Sequence, residues 1–172
     1  SPDEIGANVD MVTINGALAI DIHGQVVADT ISGGQFSGIG GAQDFVAWLR
    51  ERCQVIILSD TFYQFASPLM RQLQYPTIFC NRLEIGATGK IVDYHLRLPD
   101  QKRESVKALK ALRFYVMAAG VAYNDTSMLG EAHAGIFFRP PDAVAKAFPQ
   151  FPVTRTYAEL KTAFTRAGGL KA

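Results

Sequence analysis

Residues 114–138 read FYVMAAGVAYNDTSMLGEAHAGIFF. Two short apolar runs, 114–119 and 134–138, bracket a polar turn and a stretch at 124–132 that suits a short helix. A continuously apolar run fits a strand covered on both faces, and a strand–helix–strand unit brings its second strand back parallel to the first. Upstream, VIILS at 55–59 is a run of the same kind. Residues 61–74 are predicted helical, with Pro68 near the start or kinking the helix. A second helix is predicted from Pro99 to about Leu112, a third after Pro140-Pro141 to about Phe148, and a last one over 156–167, stopped by Gly168-Gly169. Between 77 and 97, TIFC, RLEI and KIVDYHL, the last two separated by the turn GATGK, predict a β-hairpin.

The first 52 residues read differently. MVTINGALAIDI (11–22), Gly24 and Val26-Val27 predict strand–turn–strand. SGGQFSGIGG (32–41) holds five glycines and is expected to be a loop or tight turn. Phe45, Val46, Trp48 and Leu49 recur at helical spacing over 42–52. Strands alternating with helices predict an α/β domain: a three-layer, Rossmann-like, mostly parallel sheet with a small hairpin. The 172 residues are expected to form one domain, 1–172, in which 1–44 supplies strands and the Gly-rich loop and 45–172 is the body.

Composition narrows the function classes. With 48% hydrophobic and 19% charged residues the chain is globular. No apolar run approaches the ~20 residues of a membrane span, so no membrane partner is expected. Two cysteines, Cys53 and Cys80, and an acidic start without an apolar leader core suit a reduced, cytoplasmic setting. The net charge of +1 hides a step. Residues 1–49 hold six acids and no Lys or Arg, whereas all 17 bases lie beyond. Lys102, Arg103, Lys107, Lys110 and Arg113 form a basic helical stretch with no interleaved aromatics. It reads as a solvated face, and no nucleic-acid partner is expected.

Ligands of such sheets bind beyond the carboxyl ends of the strands. Three strand ends carry polar words: Asp21-Ile22-His23-Gly24, Ser59-Asp60-Thr61, and Gly120-Val121-Ala122-Tyr123-Asn124-Asp125. His95 and His133 are expected to be structural or solvated, Cys53 to be a core residue, and Cys80, with no His or Asp near it in sequence, not to be a nucleophile.

Residues 43–166 resemble the haloacid dehalogenase superfamily, in its phosphoserine phosphatase and phosphoserine:homoserine phosphotransferase branch. The resemblance rests on FVAWLRERCQVIILSDTFYQFASPLMRQL, QKRESVKALKAL, AAGVAYNDTSMLGEAHAGIFF and FPQFPVTRTYAELK, in family order. It implies that Ser59, Asp60 and Lys102 bind phosphate, with Ser59 and Lys102 taking part in catalysis, and that a strand-end Asp attacks phosphorus. It also implies a Mg²⁺ ion held by carboxylates, here Asp21 and Asp125. The family's metal-binding Asp is replaced by Val121 and its neighbouring Ser by Ala122, so Mg²⁺ binding is expected to be weak or absent.

Residues 5–45, in contrast, resemble the C-terminal domain of the acetyl-CoA hydrolase and 4-hydroxybutyrate CoA-transferase family. In that family the segment matching Gly38, Gly40 and Gly41 lies against coenzyme A. The two resemblances meet near Gly41-Ala42-Gln43-Asp44-Phe45-Val46, where the charge step falls, and together they imply a chimera. Its phosphatase body lacks the family's own first strand and helical cap domain. ALAIDIHG is then a substitute strand that would put Asp21 in the nucleophile's place and His23 in the general acid's. The competing reading of Asp21 is an ordinary strand-end Asp before a turn.

Three functions stay open on the sequence. One is a phosphatase-like domain for small phosphate monoesters, its substrate a small phosphorylated metabolite, with an impaired site. The others are a non-catalytic folded chimera and a coenzyme A-binding module. Loss of a cap would bare apolar surface, so a homodimer is expected.

Overall fold

The structure, a computed structural model, describes residues 11–14, 30–31, 34–35 and 39–170. Its elements are β1 (Met11–Ile14), β2 (Thr30–Ile31), β3 (Gly34–Gln35), α1 (Ile39–Arg50), β4 (Gln54–Phe62), α2 (Tyr63–Gln72), β5 (Thr77–Ile85), β6 (Ile91–His95), α3 (Gln101–Ala111), β7 (Val116–Gly120), a 3₁₀ turn (Tyr123–Asp125), α4 (Thr126–Glu131), β8 (Ala134–Phe138), α5 (Asp142–Ala147), β9 (Val153–Thr154) and α6 (Tyr157–Gly168). Seven strands form one sheet in the order β6-β5-β4-β1-β7-β8-β9, and β2 pairs with β3 in a small separate ribbon. Every neighbour in the large sheet is parallel except β5 and β6, which form the expected hairpin.

Burial explains the apolar runs. Val55, Met117, Ala119 and Ile136 point to one side, where Phe45 and Leu49 of α1 and Leu160 and Phe164 of α6 cover them. Ile56, Leu58, Val116, Ala118 and Phe137 point to the other, against Val106 and Leu109 of α3 and Met128 and Leu129 of α4. Successive strand residues alternate between the two cores, so no residue of a central strand needs to be polar. The predicted three-layer α/β architecture is therefore the observed one. No described helix is long and apolar enough to cross a membrane.

Two local expectations change. The sequence predicts a loop or tight turn over 32–41, but the last residues of that stretch open α1, so Gly40 and Gly41 have helical backbones. The first turn of a helix donates no i−4 hydrogen bonds, and the packing of Phe45 and Leu49 outweighs the glycines' low propensity there. Strand β9 was not foreseen. Two residues are too few for a period, and it exists because Phe137 and Phe138 of β8 pair with Val153 and Thr154, with Thr154 Oγ1 donating to Phe137 O at 2.8 Å.

The central position of the sheet is decisive. Met11–Ile14 pairs with Gln54–Ile57 on one edge and with Val116–Ala119 on the other. The acidic N-terminal segment thus does supply the strand between β4 and β7. The residues in that slot are MVTI, however, and not the ALAI run that leads to Asp21. Asp21, His23 and Gly38 lie outside the described residues.

Candidate active site

Beyond the carboxyl ends of β4 and β7 the described polar groups converge on one ammonium. Lys102 stands in the first turn of α3 and is 3% exposed. Its Nζ lies 2.6 Å from Asp60 Oδ2 and 3.0 Å from Asp125 Oδ1. Asp60 follows the buried run of β4, and Asp125 closes the 3₁₀ turn after β7, so α3 bridges two strand ends.

Asp125 also builds the loop it sits in. Its Oδ2 accepts the backbone N–H groups of Val121, at 2.8 Å, and Ala122, at 3.0 Å. This brings the side chain against the strand end, where a Cβ on Gly120 would stand 2.5 Å from Asp125 Cβ. Glycine is required at 120 by that approach.

Asp60 is half exposed and held from three directions. Besides Lys102, Asn124 Nδ2 donates to its Oδ2 at 2.9 Å, and Gln101 Nε2 reaches its Oδ1 at 3.4 Å. Burial pushes the carboxyl pKa up, but the Lys102 hydrogen bond and charge, with Gln101 and Asn124, more than reverse this and hold it below its ordinary value. Gln101 Nε2 also donates to Ser59 O at 2.6 Å. The Ser59 hydroxyl oxygen accepts the N–H of Thr61 at 3.3 Å, which leaves the hydroxyl proton for another acceptor.

Of the residues named from the sequence, Asp60, Lys102 and Asp125 come together, and Ser59 joins through its backbone carbonyl, which accepts from Gln101. Gln101 and Asn124 complete the cluster and had been given no role. Gln101 had a signal, since it directly precedes Lys102 at a helix start. Of the glycines, Gly40 and Gly41 lie in α1.

The described residues do not make a cage for Mg²⁺. Hard cations take several oxygen ligands, but Val121 offers no side-chain oxygen and both nearby carboxylates are engaged by the Lys102 ammonium. What the cluster does offer is one buried cationic centre between two parallel strand ends, a group that can meet an anionic oxygen.

Comparison with known proteins bears on the fold that carries this cluster. Residues 1–64 match the acetyl-CoA hydrolase/transferase C-terminal domain family, a match that runs past Phe45 into β4 and α2. The chain is 58% identical over 127 residues to the phosphoserine phosphatase ThrH of Pseudomonas aeruginosa, covering 74% of this chain and 62% of that protein. It is 53% identical over 151 residues to a phosphoserine phosphatase of Pseudomonas syringae pv. tomato, covering 86% of this chain and 63% of the relative. The chain thus spans somewhat under two thirds of the length of these curated relatives. In fold, an apo phosphoserine phosphatase superposes with a TM-score of 0.59 at 23% identity, over 71% of this chain and 64% of its own. A HAD family hydrolase from Streptomyces avermitilis gives 0.57 at 14% identity, over 93% and 85%. Most of this chain therefore carries the haloacid dehalogenase-like fold of the phosphoserine phosphatases, joined to an N-terminal segment like the C-terminal domain of acetyl-CoA hydrolases and transferases.

Proposed function

We propose that this chain is a phosphatase-like domain for small phosphate monoesters, its substrate a small phosphorylated metabolite, with weak or no turnover. The observation that carries the reading is the position of Lys102 Nζ, between Asp60 at the carboxyl end of β4 and Asp125 after β7. A phosphoryl group there meets one buried cation, and Ser59, next to Asp60 in sequence, is the proposed hydroxyl donor. Lys102 neutralises part of the charge that develops at phosphorus, and Ser59 donates to a phosphoryl oxygen.

The same observation supports low activity. Lys102 already has two carboxylate partners, so a phosphate must compete with Asp60 and Asp125 for it. Because MVTI and not ALAI fills the central slot, the full reaction needs Asp21 brought to phosphorus from the segment beyond β1; Asp21 would then attack phosphorus, the ester oxygen would leave with a proton from His23, and water would release the aspartyl-phosphate. In the superfamily Mg²⁺ supplies further charge neutralisation, and here Val121 withholds a ligand. The alternative, a folded chimera without catalysis, is favoured by Val121 and by the occupied ammonium. The two buried thiols, Cys53 and Cys80, suit the proposed cytoplasmic setting. Ile91, Val92, Tyr94 and Leu96 are exposed on the outer hairpin and its exit, which supports the homodimer, and a single-chain mass by light scattering at every concentration would reject it.

The test is hydrolysis of an aryl phosphate with Mg²⁺. Turnover is expected at or near background, and any residue of it should vanish in Asp21→Asn and in Lys102→Ala. Robust turnover that survives Asp21→Asn rejects Asp21 as nucleophile. Robust turnover abolished by it rejects the weak-site reading.

A further inference from the structure

We propose that Glu84, Asp93 and His95 form a binding site for a Zn²⁺-class divalent ion on the outer hairpin, separate from the Lys102 cluster. Strands β5 and β6 pair antiparallel with Glu84 opposite Asp93 and Arg82 opposite His95. Side chains directly opposite share a face, and so do residues two apart, so these four stand together. One ligand atom from each of Glu84, Asp93 and His95 lies within 4.8 Å of the others.

The spacing fits a first-row metal. His95 Nε2 and Glu84 Oε2 are 3.2 Å apart. Two ligands at ~2.0–2.1 Å from a tetrahedral Zn²⁺ stand about 3.3 Å from each other, so this pair is already at the bite distance. Asp93 Oδ1 accepts the N–H of Tyr94 at 2.7 Å, and its second oxygen supplies the third ligand. The cluster is exposed, so water can complete the coordination.

Charge gives an independent reason. Two carboxylates directly opposite on a ribbon repel and weaken the pairing. Glu84 and Asp93 stand so on β6, a strand whose residues are all exposed and which pairs only with β5. Arg82, opposite His95, can offset only one of the two carboxylate charges. A divalent cation between Glu84 and Asp93 turns the repulsion into a clip across the strands.

The donor set selects the ion. One imidazole nitrogen with two carboxylates suits Zn²⁺ and its neighbours, whereas Mg²⁺ and Ca²⁺ require all-oxygen shells. Other soft donors among the described residues are poorly placed. Cys53 and Cys80 are buried, and His133 Nδ1 accepts the N–H of Val116 at 3.0 Å.

Calorimetric titration of the full chain with ZnCl₂ in phosphate-free buffer tests this. One saturable site is expected, insensitive to excess Mg²⁺. His95→Ala and Glu84→Gln should each weaken it at least tenfold, and His23→Ala should leave it unchanged. In the wild-type chain Zn²⁺ should also shift the His95 ring ¹⁵N resonances. Absence of saturable binding overturns the proposal, as does undiminished binding by His95→Ala or loss in His23→Ala. The first two results leave the phosphatase reading intact, since no residue of the Lys102 cluster takes part, and the third would move the metal to His23.

Discussion

Lys102 and Asp125 form a buried ion pair, Nζ to Oδ1 3.0 Å, with side chains 4% and 3% exposed. A pair this deep is maintained because each charge is further satisfied: the ammonium by Asp60, and the carboxylate by the N–H groups of Val121 and Ala122. The pair is therefore a structural bolt between α3 and the loop after β7, as well as the centre of the candidate site.

Removing one side of that bolt should be costly. Asp125→Ala takes away the buried partner of the ammonium, leaving it only the half-exposed Asp60, and frees two backbone donors, and is expected to destabilise by about 3 kcal/mol. Asp60→Ala removes a half-exposed partner and should cost about 1 kcal/mol or less. Urea unfolding midpoints of the two variants check the contrast. Equal losses would mean that burial of the Asp125 pair carries no special weight.

Gly120 should tolerate no side chain. In Gly120→Ala the new Cβ must displace Asp125 Cβ from 2.5 Å, which moves the carboxylate off its three donors. The expected loss is about 1–3 kcal/mol, an overpacking cost. A melting temperature equal to that of the parent chain would show that the loop relaxes freely.

His133 should make stability fall in mild acid. Burial, helped by the charge of Lys110, holds its pKa below the ordinary 6.5, and its Nδ1 accepts the Val116 N–H. The unfolded chain therefore binds the proton first as pH drops. The stabilisation from neutral His133 is full above about pH 6.5 and is lost as pH falls from there through the lower folded pKa. His133→Asn keeps an acceptor and should flatten that segment of a urea-midpoint profile against pH. An unchanged slope would assign the effect to another group.

Restoring oxygen at the turn should restore metal affinity. Val121→Asp with Ala122→Ser is expected to raise Mg²⁺ affinity measurably by calorimetry. Tight Mg²⁺ binding by the unmodified chain would contradict the fit argued from Val121.

Much of this protein was settled by sequence alone. VIILS, VMAAG and AGIFF had to be buried strands, because runs apolar at every position find no other low-energy place, and the intervening helices forced them parallel. Ser59, Asp60, Lys102 and the turn ending at Asp125 were readable as a site, since polar residues at the ends of such strands have few structural reasons to be there. Tertiary structure decided what local pattern leaves degenerate. That Met11–Ile14 takes the central slot was not legible, because MVTI and ALAI are both short runs able to form a strand and only pairing on both edges distinguishes them. That Gly40 and Gly41 are helical follows from how Phe45 and Leu49 pack, not from the glycines. Gln101 and Asn124 join the cluster, and Glu84 faces Asp93 and His95, through contacts between residues far apart in the chain, whose register is set by hydrogen bonding across strands and not by spacing along one of them.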